Sequence, residues 1–222
     1  MKALIIRTKL ILRYISDGNL KPIVRGLFVR LYSKVNSIGL EISPKDAKFL
    51  EANIEIKIRP FQNTDINALN EGLRHARLVD ENIPDCYVAT TINDITVYRQ
   101  WLFKYDQNNQ IATYFGPIFP KLKKDEVLIE GVFTHTKYRG LRIMPDATVK
   151  ILRQKQYKHV NRVIVFVDEN NIPSLKSFNR IGFKPFIIRQ ERWLFFKRTV
   201  SFISMTSEVQ KKFESLIPIQ RT

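Results

Sequence analysis

Two basic side chains and a glycine stand where an apolar run gives way to a helical pattern, in EGVFTHTKYRGLRIMPDATVKIL (residues 130–152). The first turn of a helix leaves backbone N–H groups unpaired, and the helix dipole adds about half a positive charge there. Gly140 would let an anion approach the backbone closely, while Lys137 and Arg139 would add charge-assisted hydrogen bonds. The stretch therefore predicts either an anion site or an ordinary glycine corner.

Two groups in the same stretch could transfer protons. Glu130 lies in a mostly apolar run, where desolvation would raise the pKa of its carboxyl group towards that of a general base. Strict alternation would place it on one strand face with Val132 and Thr134. His135 ends the run, and the unperturbed pKa of imidazole, about 6.5, already suits proton transfer. The alternatives are a Glu130 paired with a nearby cation and a His135 that is merely exposed.

Composition excludes several classes of protein. The single cysteine, Cys86, cannot form an internal disulfide, and we interpret it as a core residue rather than a nucleophile. Neither zinc-type Cys/His spacing nor a phosphate-loop consensus is present, so we predict no metal site. No apolar run reaches the roughly 20 residues that span a bilayer. Arg7, Lys9 and Arg13 interrupt the one segment that resembles a signal peptide, so we expect a cytoplasmic protein.

The formal net charge of +16 is unevenly distributed along the 222 residues. Residues 1–50 carry a net charge of +7 and residues 137–199 carry +11, on either side of a middle stretch at −3. Such basic blocks suit nucleic acid, anionic lipid or a phosphate-rich small molecule. Helix-turn-helix, zinc-finger and RNA-binding signatures are all missing, which makes a nucleic-acid-binding module the weakest of these interpretations.

The first fifty residues read as a basic, amphipathic helical extension. Pro22 suits the first turn of a helix, and apolar residues then recur at helical spacing: Val24, Leu27, Phe28, Leu31 and Val35. Residues 1–35 could lie on an anionic membrane surface, at the periphery of its inner face. The alternative is that these helices pack on the main domain and leave their cations in solvent.

From residue 51 the pattern is mixed α and β. Strands are predicted at 54–60, 86–92, 95–103, 126–135, 162–167 and 192–196, with a hairpin turn at 93–94. Helices are predicted from residue 63 or 64, over 145–157, and from Asn171 to a left-handed cap at Gly182. NQIATYFG (109–116) reads as a short strand or a loop. We therefore predict one domain over 51–200 and a weakly patterned tail over 201–222.

Three segments, in this order, resemble the GNAT superfamily of acyl-CoA-dependent N-acyltransferases over about residues 54–198. IKIRPFQNTDINALNE is similar to that family's opening strand and helix, and GVFTHTKYRGLRI to its central strand and pyrophosphate corner. NNIPSLKSFNRIGFKPF is similar to its second cofactor segment, in which an Asn leads into a short helix ending in Gly-Phe. The resemblance implies an α+β fold: a twisted, mostly antiparallel sheet flanked by helices, here with an N-terminal helical extension.

The resemblance also implies a co-substrate, acetyl-CoA or another acyl-CoA, and an amine acceptor on a small molecule. In that family the corner grips the pyrophosphate, and the splayed end of the central strand contacts the pantetheine arm. Carried to this chain, Glu130 and His135 become the candidate catalytic residues. The candidate cofactor-binding residues are Val132, Phe133, Thr134, Lys137, Arg139, Gly140, Leu141, Arg142, Ile143, Asn171 and Phe178.

Two departures from the family pattern bear on activity. Arg142 stands where a small residue normally lets the phosphate settle, and Phe178 stands where the family often has a tyrosine that protonates the departing thiolate. Phenylalanine has no proton to give, so either Tyr138, a water or another group acts instead, or the thiolate leaves without help. We predict an acyltransferase whose acceptor is an amine of a small molecule, for example an amino sugar used in bacterial surface polysaccharide. The alternative is an inactive acyl-CoA-binding regulator.

Overall fold

The computed structural model describes residues 16, 18, 20–66, 68, 78 and 83–216. The helix predicted for the first residues of the chain lies outside this range. Most of the helix predicted from residue 63 does too, and its first residues, Asn63–Asp65, form a short 3-10 turn.

Eight strands in the described residues form one sheet in the order β2-β3-β4-β5-β6-β1-β7-β8. All neighbours are antiparallel except β5 and β6, which are parallel. This confirms the predicted α+β class and its mostly antiparallel sheet. The strands are β1 Tyr32–Ile42, β2 Ile56–Pro60, β3 Cys86–Thr91, β4 Thr96–Lys104, β5 Glu126–Thr134, β6 Arg162–Asp168, β7 Lys184–Leu194 and β8 Lys197–Ser204.

The helices that the structure describes are α1 Lys21–Leu31, α2 Asn108–Phe115, α3 Ile143–Leu152, α4 Ile172–Ile181 and α5 Ser207–Glu214. The sequence of α4 explains its bounds. The Asn171 side chain caps its start, and Gly182 ends it at a φ of 108°, in the left-handed region that favours glycine. Between them Leu175, Phe178 and Ile181 recur at helical spacing and are buried.

The predicted helical extension over residues 1–50 is wrong from Tyr32 onwards. Helix α1 ends at Leu31, and the chain continues directly as β1, which lies between β6 and β7 in the sheet. A Cβ on Gly39 would stand 2.7 Å from the Ile187 side chain, so β1 fits tightly against its neighbour. The helical spacing of apolar residues continues to Val35, which is why the sequence predicts a helix there. The burial of Ile38 and Leu40 stabilises the strand instead.

Four further predictions differ from the structure. NQIATYFG belongs to helix α2, whose Ile111 and Phe115 are buried, rather than to a strand or loop. The last predicted strand begins earlier, at Lys184, and the chain turns at Phe195 and Phe196. The residues after 201 are not an unpatterned tail, because β8 runs to Ser204 and α5 buries Phe213. The predicted helix over 145–157 is α3, which begins at Ile143 and ends at Leu152.

The sheet carries a hydrophobic core on each face. Helices α3 and α4 cover one face, packing on residues such as Leu40, Ile129 and Val165. Helix α2 covers part of the other, over Trp101 and Phe103. Cys86 belongs to the second core, and burial raises the pKa of its thiol, which agrees with a core role. Among the described residues, no helix is both long enough and apolar enough to cross a bilayer.

Candidate active site

The candidate site is a cleft where β5 and β6 part. The two strands pair only from Glu126 to Ile129 on β5, yet β4 holds β5 as far as Thr134 and β1 holds β6 as far as Asp168. The ladder between β5 and β6 therefore ends at Ile129, and the two strands diverge beyond it. The cleft measures about 160 Å³ and is lined by Ile129, Glu130, Gly131, Val132, Val165, Phe166, Val167, Asp168, Asn171, Ser174 and Phe178.

A β-bulge at Gly131 explains why the strands part. Glu130 faces Trp101 and Phe133 faces Arg99, so two β5 residues, 131 and 132, oppose one residue of β4. Gly131 has a φ of 65°, in the left-handed region that a glycine adopts without strain. Such a bulge bends its strand, and here it turns the end of β5 away from β6.

The bulge also corrects the predicted alternation along β5. Arg99 and Trp101 lie two residues apart on β4 and so share a face, and their partners Phe133 and Glu130 share that face as well. The prediction that Glu130 shares a face with Val132 and Thr134 is therefore wrong, because strict alternation does not survive an inserted residue. Glu130 is half-buried and lines the cleft.

His135 forms hydrogen bonds at the corner between β5 and α3 through both its backbone and its ring. Its backbone N–H donates to the Val97 carbonyl (2.9 Å), and its Nδ1 accepts from the Lys137 backbone N–H (3.3 Å). The ring also meets the edge of Tyr138, with centroids 5.7 Å apart. His135 is not one of the described residues that line the cleft.

The corner between β5 and α3 holds the predicted anion-binding residues. A 3-10 turn at Thr136–Tyr138 leads to Gly140, whose φ is 84°. No atom lies within 4 Å of the position that a Cβ on Gly140 would take, so open space adjoins the backbone there. Lys137 is exposed, whereas the exposed Arg139 folds back so that its Nε donates to the Thr134 carbonyl (3.2 Å).

Arg142 is bonded to the connection between β1 and β2. Its Nε donates to Oδ1 of Asn53 (2.9 Å), and the Asn53 backbone N–H donates to the Leu141 carbonyl (2.9 Å). The residue caps α3 with a φ of 57°, a left-handed conformation that is uncommon for a long side chain. The guanidinium is therefore held by the β1–β2 connection and does not line the described cleft.

Asp146 fixes the same connection to the start of α3. It is 1% exposed, and its Oδ2 accepts from the Ala52 backbone N–H (3.1 Å) and from Lys150 Nζ (3.0 Å). A carboxylate in the first turn of a helix is stabilised by the helix dipole. The loop that holds Arg142 is thus anchored at two points, Asn53 and Ala52.

Helix α4 supplies the other wall of the cleft. Asn171 Oδ1 accepts from the Ser174 backbone N–H (3.3 Å), and Ser174 and Phe178 follow on the same helix face. Phe178 is 1% exposed and meets Phe183 edge-on, with centroids 4.9 Å apart. The sequence interpretation missed Ser174, although its spacing of four residues from Phe178 is a signal that could have identified it.

The structure thus brings four predicted residues into the cleft, namely Glu130, Val132, Asn171 and Phe178. Phe133 is not among the described residues that line the cleft, and the Arg99 guanidinium lies 5.6 Å from its ring centroid. The remaining predicted residues follow one another around the corner: Thr134, His135, Lys137, Arg139, Gly140, Leu141, Arg142 and Ile143. Of these, Ile143 is buried as the first residue of α3.

No family model matches the sequence, and no curated protein matches it either. Solved structures do match the fold. A GCN5-related glucosamine N-acetyltransferase region in a fungal multi-domain beta-N-acetylglucosaminidase aligns with 82% of this chain and 23% of its own, at 13% identity and a TM-score of 0.53. A functionally unknown conserved protein from Staphylococcus epidermidis aligns with 78% of this chain and 66% of its own, at 12% identity and a TM-score of 0.50.

A GCN5-related N-acetyltransferase from Sphaerobacter thermophilus aligns with 78% of this chain and 56% of its own, at 14% identity and a TM-score of 0.49. The chain spans less than two thirds of the length of each of these matched chains. The parted parallel strands and the flanking helices define a GNAT fold.

Proposed function

We propose that this protein is an acyltransferase that moves an acetyl or other short acyl group from acyl-CoA to an amine of a small molecule. The observation that carries the proposal is the parting of β5 from β6 beside the open corner at Gly140. An unpaired strand edge can hydrogen-bond an amide-bearing arm, and a helix N-terminus can bind phosphate. One ligand that carries both groups is coenzyme A.

The residues present fit such a ligand. Backbone N–H groups from about residue 139 to the start of α3 would hold the pyrophosphate, with Lys137 in reach as an additional cation. The open space at Gly140 and the hydrogen bond that holds Arg142 to Asn53 support this placement. The pantetheine arm would lie along β5 from Glu130 to Thr134, with Asn171 on the facing helix.

Acyl transfer to an amine requires a neutral nucleophile. We assign proton removal to Glu130, which lines the cleft, with His135 at the corner as the other candidate. The amine nitrogen attacks the thioester carbonyl in a ternary complex, its proton passes to the base, and the C–S bond breaks to release the thiolate. Strand amides freed by the bulge at Gly131 would polarise that carbonyl.

The departing thiolate needs a hydrogen-bond donor, and Phe178 has none. Ser174 is the hydroxyl-bearing residue among the described residues that line the cleft, one helical turn before Phe178. We therefore assign this role to Ser174. Tyr138, which packs at the edge of the His135 ring, is the alternative donor.

An amino sugar is the acceptor that we propose to test first. The matched fungal region is a glucosamine N-acetyltransferase, and its likeness to this chain is one of fold. Fold alone does not set a substrate, so the acceptor must come from a screen.

The test combines binding and turnover. Purified protein is analysed by mass spectrometry for retained CoA species, and thiol release from acetyl-CoA is then followed with a panel of amines that includes glucosamine. Glu130→Gln should lower turnover by about a hundredfold or more and leave CoA affinity nearly unchanged, because general-base catalysis typically contributes that much. Absence of CoA binding would refute the proposal.

The second candidate is a catalytically inactive acyl-CoA-binding regulator. The observation that favours it is Phe178, which fills the position of a proton donor with a buried, closely packed ring. Tight acyl-CoA binding without thiol release across the whole panel would support this candidate over the enzyme.

A further inference from the structure

Helix α1 exposes the face that an amphipathic helix normally buries. From the N-cap residue Leu20, five apolar residues recur at i, i+4, i+7, i+8 and i+11, and each is at least 40% exposed. They are Leu20 (53%), Val24 (46%), Leu27 (48%), Phe28 (66%) and Leu31 (40%). A contiguous apolar stripe of this kind marks an interaction site rather than scattered surface residues.

The hairpin between β7 and β8 adds two aromatic rings to this stripe. Its two-residue turn consists of Phe195 and Phe196, which are 75% and 56% exposed. Their φ angles are 46° and 64°, and a turn with both residues in the left-handed region favours Asn-Gly. Bulky residues are strained there, and strain of this kind tends to persist at functional sites.

Hydrogen bonds join the hairpin to the helix. The backbone N–H of Phe195 donates to the Leu31 carbonyl (2.9 Å), and that of Phe196 donates to the Arg30 carbonyl (2.8 Å). These bonds satisfy carbonyls at the end of α1 that would otherwise lack partners. Tyr32, at the junction, is 64% exposed. Helix and turn therefore present one surface, which we call the α1–hairpin surface (residues 20–32 and 194–196).

Cations surround the α1–hairpin surface. Residues 20–35 and 192–200 contain no acidic residue, and their basic residues are Lys21, Arg25, Arg30, Lys34, Arg192, Lys197 and Arg198. Two of them pack within the protein as well: the Arg30 guanidinium lies 5.9 Å from the Trp193 ring centroid, and Arg198 bonds Glu191. The others named are exposed and positively charged.

We propose that the α1–hairpin surface binds the headgroup region of an anionic lipid bilayer. Aromatic and aliphatic side chains enter the boundary between headgroups and acyl chains, while the surrounding Lys and Arg side chains bind lipid phosphates. Charge complementarity favours this occupant over a second copy of the chain. A two-fold dimer would set the same group of cations against itself. The sequence predicted a membrane contact over residues 1–35. Within the described residues, the proposed contact consists of α1 together with the β7–β8 hairpin, which the sequence analysis did not include.

The full chain is tested by co-sedimentation with vesicles of equimolar phosphatidylglycerol and phosphatidylcholine, and with vesicles of phosphatidylcholine alone. We expect binding to the anionic vesicles that weakens as salt rises. The emission of Trp193 should shift to the blue on binding, whereas Trp101, which is 1% exposed, should not respond.

The decisive variant is Phe195→Asn/Phe196→Gly, which removes both rings and supplies the residues that the turn prefers. Vesicle partitioning should fall by about tenfold or more, and thermal stability should be unchanged or higher. Ile92→Ser/Ile95→Ser is the matched control, because it removes two exposed apolar side chains (62% and 48%) from the β3–β4 hairpin. The control should bind vesicles as the wild type does.

Three outcomes would overturn the proposal. The wild-type protein fails to bind the anionic vesicles, or the Asn-Gly variant binds them as well as the wild type, or the control loses binding to the same extent. A wild-type dimer that dissociates in the Asn-Gly variant, with no vesicle binding by either protein, would assign the surface to a second copy of the chain.

Discussion

Substituting alanine at Gly140 tests whether the corner before α3 is an anion seat. The structure predicts a small effect on stability. No atom lies within 4 Å of the new Cβ, so the cost comes from the backbone, whose φ of 84° lies in the left-handed region. A non-glycine residue in that region costs roughly 1–2 kcal/mol.

Gly140→Ala should weaken CoA binding more strongly than it destabilises the fold. The Cβ of Gly140→Ala would occupy the open space in which we place the pyrophosphate. Loss of one charge-assisted hydrogen bond costs about 1.5–3 kcal/mol, which corresponds to a roughly ten- to hundredfold weaker Kd for CoA. Isothermal titration calorimetry with CoA measures this directly, at a temperature well below the Tm of the variant.

Gly116→Ala is the matched control. Gly116 also has a positive φ (73°) and no atom within 4 Å of its would-be Cβ, but it ends α2 and is not among the described residues of the cleft. Its ψ of −159° suits glycine almost exclusively, so this control should lose at least as much stability as Gly140→Ala. Unchanged CoA affinity in Gly140→Ala, or equal losses in both variants, would refute the assignment of the corner.

Three further predictions concern other parts of the fold. Burial alone would raise the pKa of Asp65, but hydrogen bonds from Arg59, Thr96 and the Gln62 backbone hold that pKa below its ordinary value. The carboxylate therefore stabilises the fold above the unfolded-state pKa of about 3.9, and this stabilisation is lost as the pH falls through the lower folded-state value. Asp65→Asn should lower Tm at neutral pH and flatten its decline in acid; parallel Tm profiles would contradict this. Gly39→Ala should cost about 1–3 kcal/mol in denaturant unfolding, because its Cβ would lie 2.7 Å from Ile187. Ser174→Ala should lower kcat for thiol release at unchanged CoA affinity, and an unaltered kcat would remove Ser174 as donor.

Elements with strong local signals were predicted correctly from the sequence. Strand β6 is a continuous apolar run, and helix α4 has a capping Asn171 and a terminal Gly182. Helix α2 was missed because its eight residues include Ile, Thr, Tyr and Phe, which favour strands. The burial of Ile111 and Phe115 overrides that preference. Strand β1 was missed because its partners lie far along the chain, and no break separates it from α1.

The candidate site also combines features that have a local sequence signal with features that depend on distant residues. The corner at residues 137–143 is local and was predicted from its residues. The bulge could have been inferred from Gly131, since an isolated glycine within a strand pattern indicates one. The direction of Arg142 could not, because its partner Asn53 lies 89 residues earlier. Likewise, the α1–hairpin surface joins residues from both ends of the chain, which no local pattern reveals.

The position of β1 in the sheet has a consequence for synthesis of the chain. This strand leaves the ribosome early, yet its side chain Asn36 bonds Glu169, 133 residues later, and β7 follows later still. The sheet cannot close until β7 has been translated, and such distant pairing makes folding slow. Throughout that interval a strand with two open edges needs protection from other nascent chains, a task suited to a chaperone.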